Sequence, residues 1–150
     1  MYDILHRVGI KASPRSVYDA LTTCEGLSGW WTTTTEGDGA AGGILQFRFG
    51  PRGGFDIRVL ALDPGKSVLW QVVDGPNDWI DTRISFELRM DDDYTIVMFK
   101  HRDWRKPSEF MHHCSTKWAT FLMSLKSMLE TGRAAPFPND VKIDNLEAAA

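Results

Sequence analysis

Residues 2–11 alternate in polarity. Ile4, His6, Val8 and Ile10 fall on one face and Leu5, Arg7 and Lys11 on the other, which predicts a half-buried strand. Ser13-Pro14 then marks a helix start, with Ser13 as N-cap and Pro14 in the first turn, and Val17, Tyr18 and Leu21 follow at helical spacing. Gly26 and Gly29 predict a break, with a short second helix over residues 24–28 that ends near Trp30-Trp31.

The middle of the chain reads as strands. Leu45, Phe47 and Phe49 alternate with Gln46 and Arg48, and Phe55, Ile57 and Val59 alternate with Asp56 and Arg58. Val68, Trp70 and Val72 form the next apolar set, bounded by Asp63-Pro64-Gly65-Lys66 and Gly75-Pro76-Asn77-Asp78 as turns. From Thr82 to Met90, Ile84, Phe86, Leu88 and Met90 share one face. After the Asp91-Asp92-Asp93 turn, Thr95, Val97, Phe99 and His101 share another. Strands at this spacing, without helices between them, predict an antiparallel meander.

Pro107-Ser108 opens the last element. Cys114, Trp118, Phe121, Leu122, Leu125 and Leu129 form one apolar stripe of a long helix, and Gly132 is its expected cap. The predicted architecture is α+β. Two short helices follow the first strand, and a strongly curved antiparallel sheet of six to seven strands wraps around the long C-terminal helix. A single domain over 1–138 with a flexible tail over 139–150 is expected. A helix resting in a curved sheet leaves a space beneath it, here expected to be lined by Phe47, Phe49, Trp70, Phe86, Phe99 and Trp118.

Composition narrows the partners. The chain has 150 residues, with 17 Lys+Arg against 20 Asp+Glu and 43% apolar residues, which is enough to build a core without a staple. The slight acidity leaves no electrostatic footprint for nucleic acid. No apolar run approaches the roughly 20 residues that a membrane span requires. Two cysteines, Cys24 and Cys114, are too few for a disulfide framework and too far apart for a paired metal site. With no signal-peptide pattern at the start, a cytoplasmic protein is expected.

Several motifs then point to a family. They are Ile10-Lys11-Ala12-Ser13-Pro14 with Val17-Tyr18-Asp19-Ala20-Leu21, Gly29-Trp30-Trp31, Gly42-Gly43 before a strand, and Trp79-Ile80-Asp81-Thr82. His101-Arg102-Asp103-Trp104 and His113-Cys114 with Trp118, Phe121-Leu122 and Ser124-Leu125-Lys126 complete the set. Over about residues 2–138 the chain resembles the START-like, birch-pollen-allergen-like (SRPBCC) superfamily with its helix-grip fold, and within it the bacterial activator of heat-shock-protein-90 ATPase homologue-like group. The resemblance implies a cavity for a small apolar or aromatic molecule.

The expected pocket residues are Trp31, Phe47, Phe49, Trp70, Ile84, Phe86, Phe99, His101, Trp104, Trp118, Phe121 and Leu122. Trp30 and Trp31 are expected to split, one lining a cavity mouth and one packing on the sheet. His101 is the weak candidate for a hydrogen-bond donor or general base, against a structural histidine that fixes the turn after the strand. His6 and Asp81 are the other candidates for a pocket acid or base. His112, His113 and Cys114 are metal-ligand types, but neighbours on a helix splay by about 100° and do not meet one ion. No catalytic constellation, metal site or cofactor is expected. The leading reading is binding of a small hydrophobic ligand. Its alternatives are a cyclase- or hydratase-like enzyme using a pocket His or Asp, and a co-chaperone-like interaction module. A homodimer and a chaperone partner are further expectations for its interactions, the dimer resting on an exposed apolar patch that six tryptophans would leave.

Overall fold

The opening alternation becomes strand β1, Tyr2–Ile10, and the computed structural model describes the chain from residue 1 through residue 147. Helix α1, Pro14–Thr22, starts where expected, with Ser13 Oγ accepting from the Ser16 N–H at 3.1 Å. Helix α2 is longer than the sequence predicts and spans Cys24–Trp30. Its glycines do not break it. The break is at Thr23, whose N–H donates to the Asp19 carbonyl to end α1. The Thr23 Oγ1 then accepts from the Gly26 N–H at 3.0 Å to start α2. Gly26 and Gly29 serve close approach instead. A Cβ at Gly26 would lie 2.6 Å from Ala20 Cα, and one at Gly29 would lie 2.7 Å from Met128 Sδ.

The strands that follow are β2 (Thr34–Gly37), β3 (Ile44–Arg48), β4 (Gly54–Asp63), β5 (Ser67–Asp74), β6 (Arg83–Asp91) and β7 (Tyr94–Trp104). They form one antiparallel seven-stranded sheet, ordered β1-β7-β6-β5-β4-β3-β2. The first strand thus crosses to pair with the last, and irregularities in the β4–β5 register between Asp56 and Ile57 and between Val59 and Ala61 fall where the sheet bends. Two side chains depart from the expected pattern. Phe49 lies past the end of β3, because the chain leaves the ladder at Arg48 for a single 3-10 turn at Gly50–Arg52. Met90 is exposed, because it sits at the β6–β7 hairpin end, beyond the core.

Helix α3, Glu109–Thr131, begins on Ser108, whose Oγ accepts from the Met111 N–H at 3.2 Å, and ends on Gly132 at φ 78°. Cys114, Trp118, Phe121, Leu122 and Leu125 are buried on its predicted stripe, and Leu129 is partly buried. It packs closest to β1 and α2. The α+β helix-grip architecture is therefore present as read. No helix among the described residues is long and apolar enough to cross a membrane.

Beyond α3 the chain turns back. The Ala135 N–H donates to Ser124 Oγ at 3.0 Å, Phe137 N–H donates to the Trp31 carbonyl at 2.8 Å, and Thr33 N–H donates to the Phe137 carbonyl at 3.1 Å. The segment expected as a flexible tail, 139–150, is described only to Glu147. There it lies along α3, with the Asp140 and Glu147 side chains buried. Ala148, Ala149 and Ala150 lie outside the described residues.

The Gly26 contact generates a test. Gly26→Ala improves intrinsic helix propensity but drives a methyl into the backbone of α1. Overpacking of this kind costs about 1–3 kcal/mol, which outweighs the propensity gain of about 1 kcal/mol. The melting temperature is expected to fall; an unchanged or higher value would show that α1 and α2 can move apart freely.

Candidate ligand-binding site

The site grows out of an aromatic core. Trp30 and Trp31 both point inward and stack, with centroids 5.6 Å apart and planes 8° from parallel. Both rings are buried, and they part in role: Trp31 lines the cavity described below and Trp30 does not. The bend after α2 turns both rings under the sheet, and Trp30 Nε1–H finds the Ala20 carbonyl at 2.9 Å. Trp31 lies parallel to Trp70 at 6.1 Å and meets Phe47 at 4.3 Å and Trp118 at 4.8 Å. From Trp70 a chain of edge contacts continues through Phe86 at 5.1 Å to Phe99 at 5.3 Å, and Phe99 meets Trp118 at 4.5 Å. These rings fill the space under the middle of α3.

His101 is fully buried at the centre of this packing. Trp118 Nε1–H donates to His101 Nδ1 at 3.1 Å, so Nδ1 carries the lone pair. The other nitrogen, Nε2, is then the protonated one and donates to Thr82 Oγ1 at 2.8 Å, while the Thr82 hydroxyl donates onward to the Trp79 carbonyl. Burial lowers the His101 pKa to about 3, so the ring is neutral at physiological pH. Both nitrogens are committed, and neither faces open space. His101 ties helix to sheet; it is not placed to move a ligand's proton.

Open space lies to one side, between the first half of α3, the β3–β4 turn and the C-terminal segment. It is a cavity of about 430 Å³, lined mostly by apolar atoms. Its floor is aromatic: Trp31, Phe49, Phe55, Trp79, Trp118 and Phe121. Phe55 stacks on Trp79 at 4.3 Å, and Trp79 Nε1–H donates to Cys114 Sγ at 3.4 Å. Burial pushes the Cys114 thiol up to about 12, against the opposing Trp79 hydrogen bond, so it stays protonated and is not a nucleophile.

The rim is charged. Lys117 points from α3 to Asp140 and lies 3.0 Å from Glu147 Oε1, an electrostatic contact without hydrogen-bond geometry. It also donates to the Val141 carbonyl. Lys142 donates to the other Asp140 oxygen at 2.7 Å. Burial works to raise the Asp140 pKa, but the hydrogen bonds from Lys117 and Lys142 outweigh it and hold the carboxyl below its usual range. His113 Nδ1 meets Asp144 Oδ2 at 2.7 Å, which holds that carboxyl low as well. His112 instead contacts the Ser108 carbonyl and Cys114 turns inward, so the three metal-ligand types on α3 diverge.

Of the expected pocket residues, Trp31, Phe49, Trp118 and Phe121 line the cavity. Phe47, Trp70, Ile84, Phe86, Phe99, His101, Trp104 and Leu122 do not. All are buried; Phe47, Trp70, Phe86 and Phe99 pack ring on ring and close the gap there, while Trp104 borders a separate small pocket with Asn77, Asp78 and Arg105. Trp104 is the least satisfied of them, with a buried indole N–H that has no partner. His6 is also placed elsewhere, at 3.0 Å from the Ser115 carbonyl, and Asp81 takes a left-handed turn at φ 71°. Sequence reasoning missed Phe55, Trp79, Phe110 and Phe137, together with the polar rim at Lys117, Asp140 and Glu147. Phe55 was legible as an inward strand residue and Trp79 as part of an aromatic turn. Phe137, Asp140 and Glu147 carried no periodic signal, since they lie in an irregular segment.

The family described as Activator of Hsp90 ATPase homolog 1-like protein matches residues 11–130. Among solved structures, the Aha1 dimer from Colwellia psychrerythraea is 47% identical, with a TM-score of 0.84 over 89% of this chain and 100% of that one. Protein SSP2350 from Staphylococcus saprophyticus is 16% identical, with a TM-score of 0.74 over 89% of this chain and 95% of that one. CalU16 from Micromonospora echinospora is 20% identical, with a TM-score of 0.70 over 84% of this chain and 73% of that one. The last two share the fold. No curated protein matches the chain.

The His101 environment predicts an acid-sensitive core. In the folded state the ring stays neutral down to about pH 3, whereas in the unfolded chain it protonates near its usual 6.5. Below that value the unfolded state binds a proton that the folded state refuses, so this contribution to stability is full above 6.5 and is lost as pH falls toward 3. Between pH 8 and pH 5 the loss is about 2 kcal/mol. In His101→Gln, denaturation midpoints should show a pH slope shallower by that amount. An identical slope in both proteins would mean that His101 protonates without leaving the core.

Proposed function

The chain belongs to the Activator of Hsp90 ATPase homolog 1-like family, and from that membership and the aromatic cavity we propose that it binds a small hydrophobic or aromatic ligand between the sheet and α3. One observation carries the reading. The domain leaves a space of about 430 Å³ lined by eight Phe and Trp residues, a size within the usual range of roughly 300–1,000 Å³ for small-molecule sites. Flat rings on the floor favour a planar or aromatic body. The charged groups at the rim would hold the polar end of such a molecule toward solvent. The cyclase- or hydratase-like alternative needs a pocket His or Asp; the His101 lone pair is taken by Trp118, and neither His6 nor Asp81 lines the cavity, whereas ligand binding needs no such group. We place the protein in a reducing compartment, the cytoplasm, because Cys24 and Cys114 are both free thiols.

The 47% identical relative is a dimer, which favours a second copy of this chain as a partner. All six tryptophans are buried, so the expected tryptophan patch is not formed, and exposed Leu5 and Met123 supply apolar surface for such a contact instead.

Native mass spectra and thermal melts against aromatic and acyl compounds test the ligand. A compound at a hundredfold excess over its Kd adds about 2.7 kcal/mol of stability and raises the melting temperature. A clean unliganded mass with no shift across the library would contradict the reading. Sedimentation equilibrium is expected to give twice the 16.9 kDa chain mass. A single-chain mass across the accessible concentration range would remove the dimer.

A further inference from the structure

We infer that residues 139–147 are the gate of the cavity and that Lys117 and His113 are its latch. The inference rests on the ligand-binding reading above and adds how the site opens. Up to Phe137 the C-terminal segment is anchored by backbone hydrogen bonds to Trp31 and Thr33. Past Pro138 the anchoring changes in kind. Backbone-to-backbone bonds there are only local, Asn139 N–H to the Pro136 carbonyl and Glu147 N–H to the Asp144 carbonyl. Among the described residues, every hydrogen bond or ion pair that ties 139–147 to residues 1–135 goes to two side chains one turn apart on α3. Lys117 takes Asp140, Glu147 and the Val141 carbonyl. His113 takes Asp144, with Glu147 at 3.9 Å.

Apolar burial adds little to this hold, since Val141 and Leu146 are 60% and 48% exposed. Yet the same segment supplies Asp140, Lys142, Leu146 and Glu147 to the cavity wall. The wall with the fewest independent attachments is therefore a wall of the site. The opposite walls, α3 and the β4 end, are fixed by the aromatic core and cannot part without unpacking it. The Lys117 ammonium is also the group that makes the closed position tolerable for two carboxylates. Asp140 is almost wholly buried and Glu147 nearly so. Without Lys117 both would face apolar surroundings with Lys142 as the remaining cation for Asp140, and swinging the segment into water relieves that cost.

Stopped-flow fluorescence with N-phenyl-naphthylamine, a neutral aromatic probe, tests the gate. Wild type, Lys117→Met, His113→Gln and Lys117→Arg are compared, with amide hydrogen exchange on each. Lys117→Met and His113→Gln are expected to bind and release the probe faster by about tenfold or more. Amides of 139–147 should exchange faster while those of α3 stay protected, and Lys117→Arg should keep slow exchange. Binding seen only in the latch variants also supports a gate, one closed in the wild type. Wild-type rates in variants whose 139–147 amides exchange fast would overturn it, because the segment would then be loose without controlling access. Loss of affinity with no change in association rate would overturn it too. No probe binding in any of the four proteins would instead remove the cavity reading, and the gate with it.

Discussion

One helix has to close the concave face of a seven-stranded sheet, and Trp118 is where it does so. Its ring meets Trp31, Phe99 and Trp79, and its indole N–H reaches a buried acceptor on β7, His101 Nδ1. Truncating a ring buried this way costs about 3–5 kcal/mol, against about 1 kcal/mol for a typical neutral hydrogen bond. Packing therefore sets where α3 lies. The hydrogen bond sets which way the indole turns and which nitrogen of His101 is protonated.

The consequence is asymmetry. Along β5, β6 and β7 the inward rings Trp70, Phe86 and Phe99 pack on one another and Phe99 reaches Trp118 of α3, so that end of the interface is solid. Toward the β3–β4 turn the sheet curves away, and α3 keeps its closest contacts with β1 and α2. The rings of Phe49 and Phe55 cover only part of the gap. The residual space is bordered on one side by a segment that belongs to neither layer. Its hold on α3 is ionic where the rest of the domain is held by burial, and the proposed gate rests on that difference.

Much of the fold was legible because its signals are local and repeated. The alternation through Leu45, Ile57, Trp70, Phe86 and Phe99 and the stripe from Cys114 to Leu125 each stated a face, and those faces pair as expected. Local signals failed where a residue served two elements. Gly26 reads as a breaker by propensity, yet its role is to let α1 and α2 touch. The pocket was harder. Inward-facing is a property of a strand, but lining a void depends on whether the rings opposite fill it. Phe86 and Phe55 read alike in the sequence, and only packing against Phe99 or against Trp79 separates core from cavity. Asp140 and Glu147 were invisible because their partner in burial is Lys117, which lies a full helix length or more away in sequence.

The central claim is that the space against Trp31, Trp79 and Trp118 receives a ligand, and indole N–H resonances report on it directly. In an NMR titration with N-phenyl-naphthylamine, the largest shifts are predicted at the Trp31, Trp79 and Trp118 indoles and at backbone amides of the C-terminal segment. Amides on the outward face of β5 and β6 should stay in place. Saturating additions that move no indole, or that move only outward-face amides, would contradict the account.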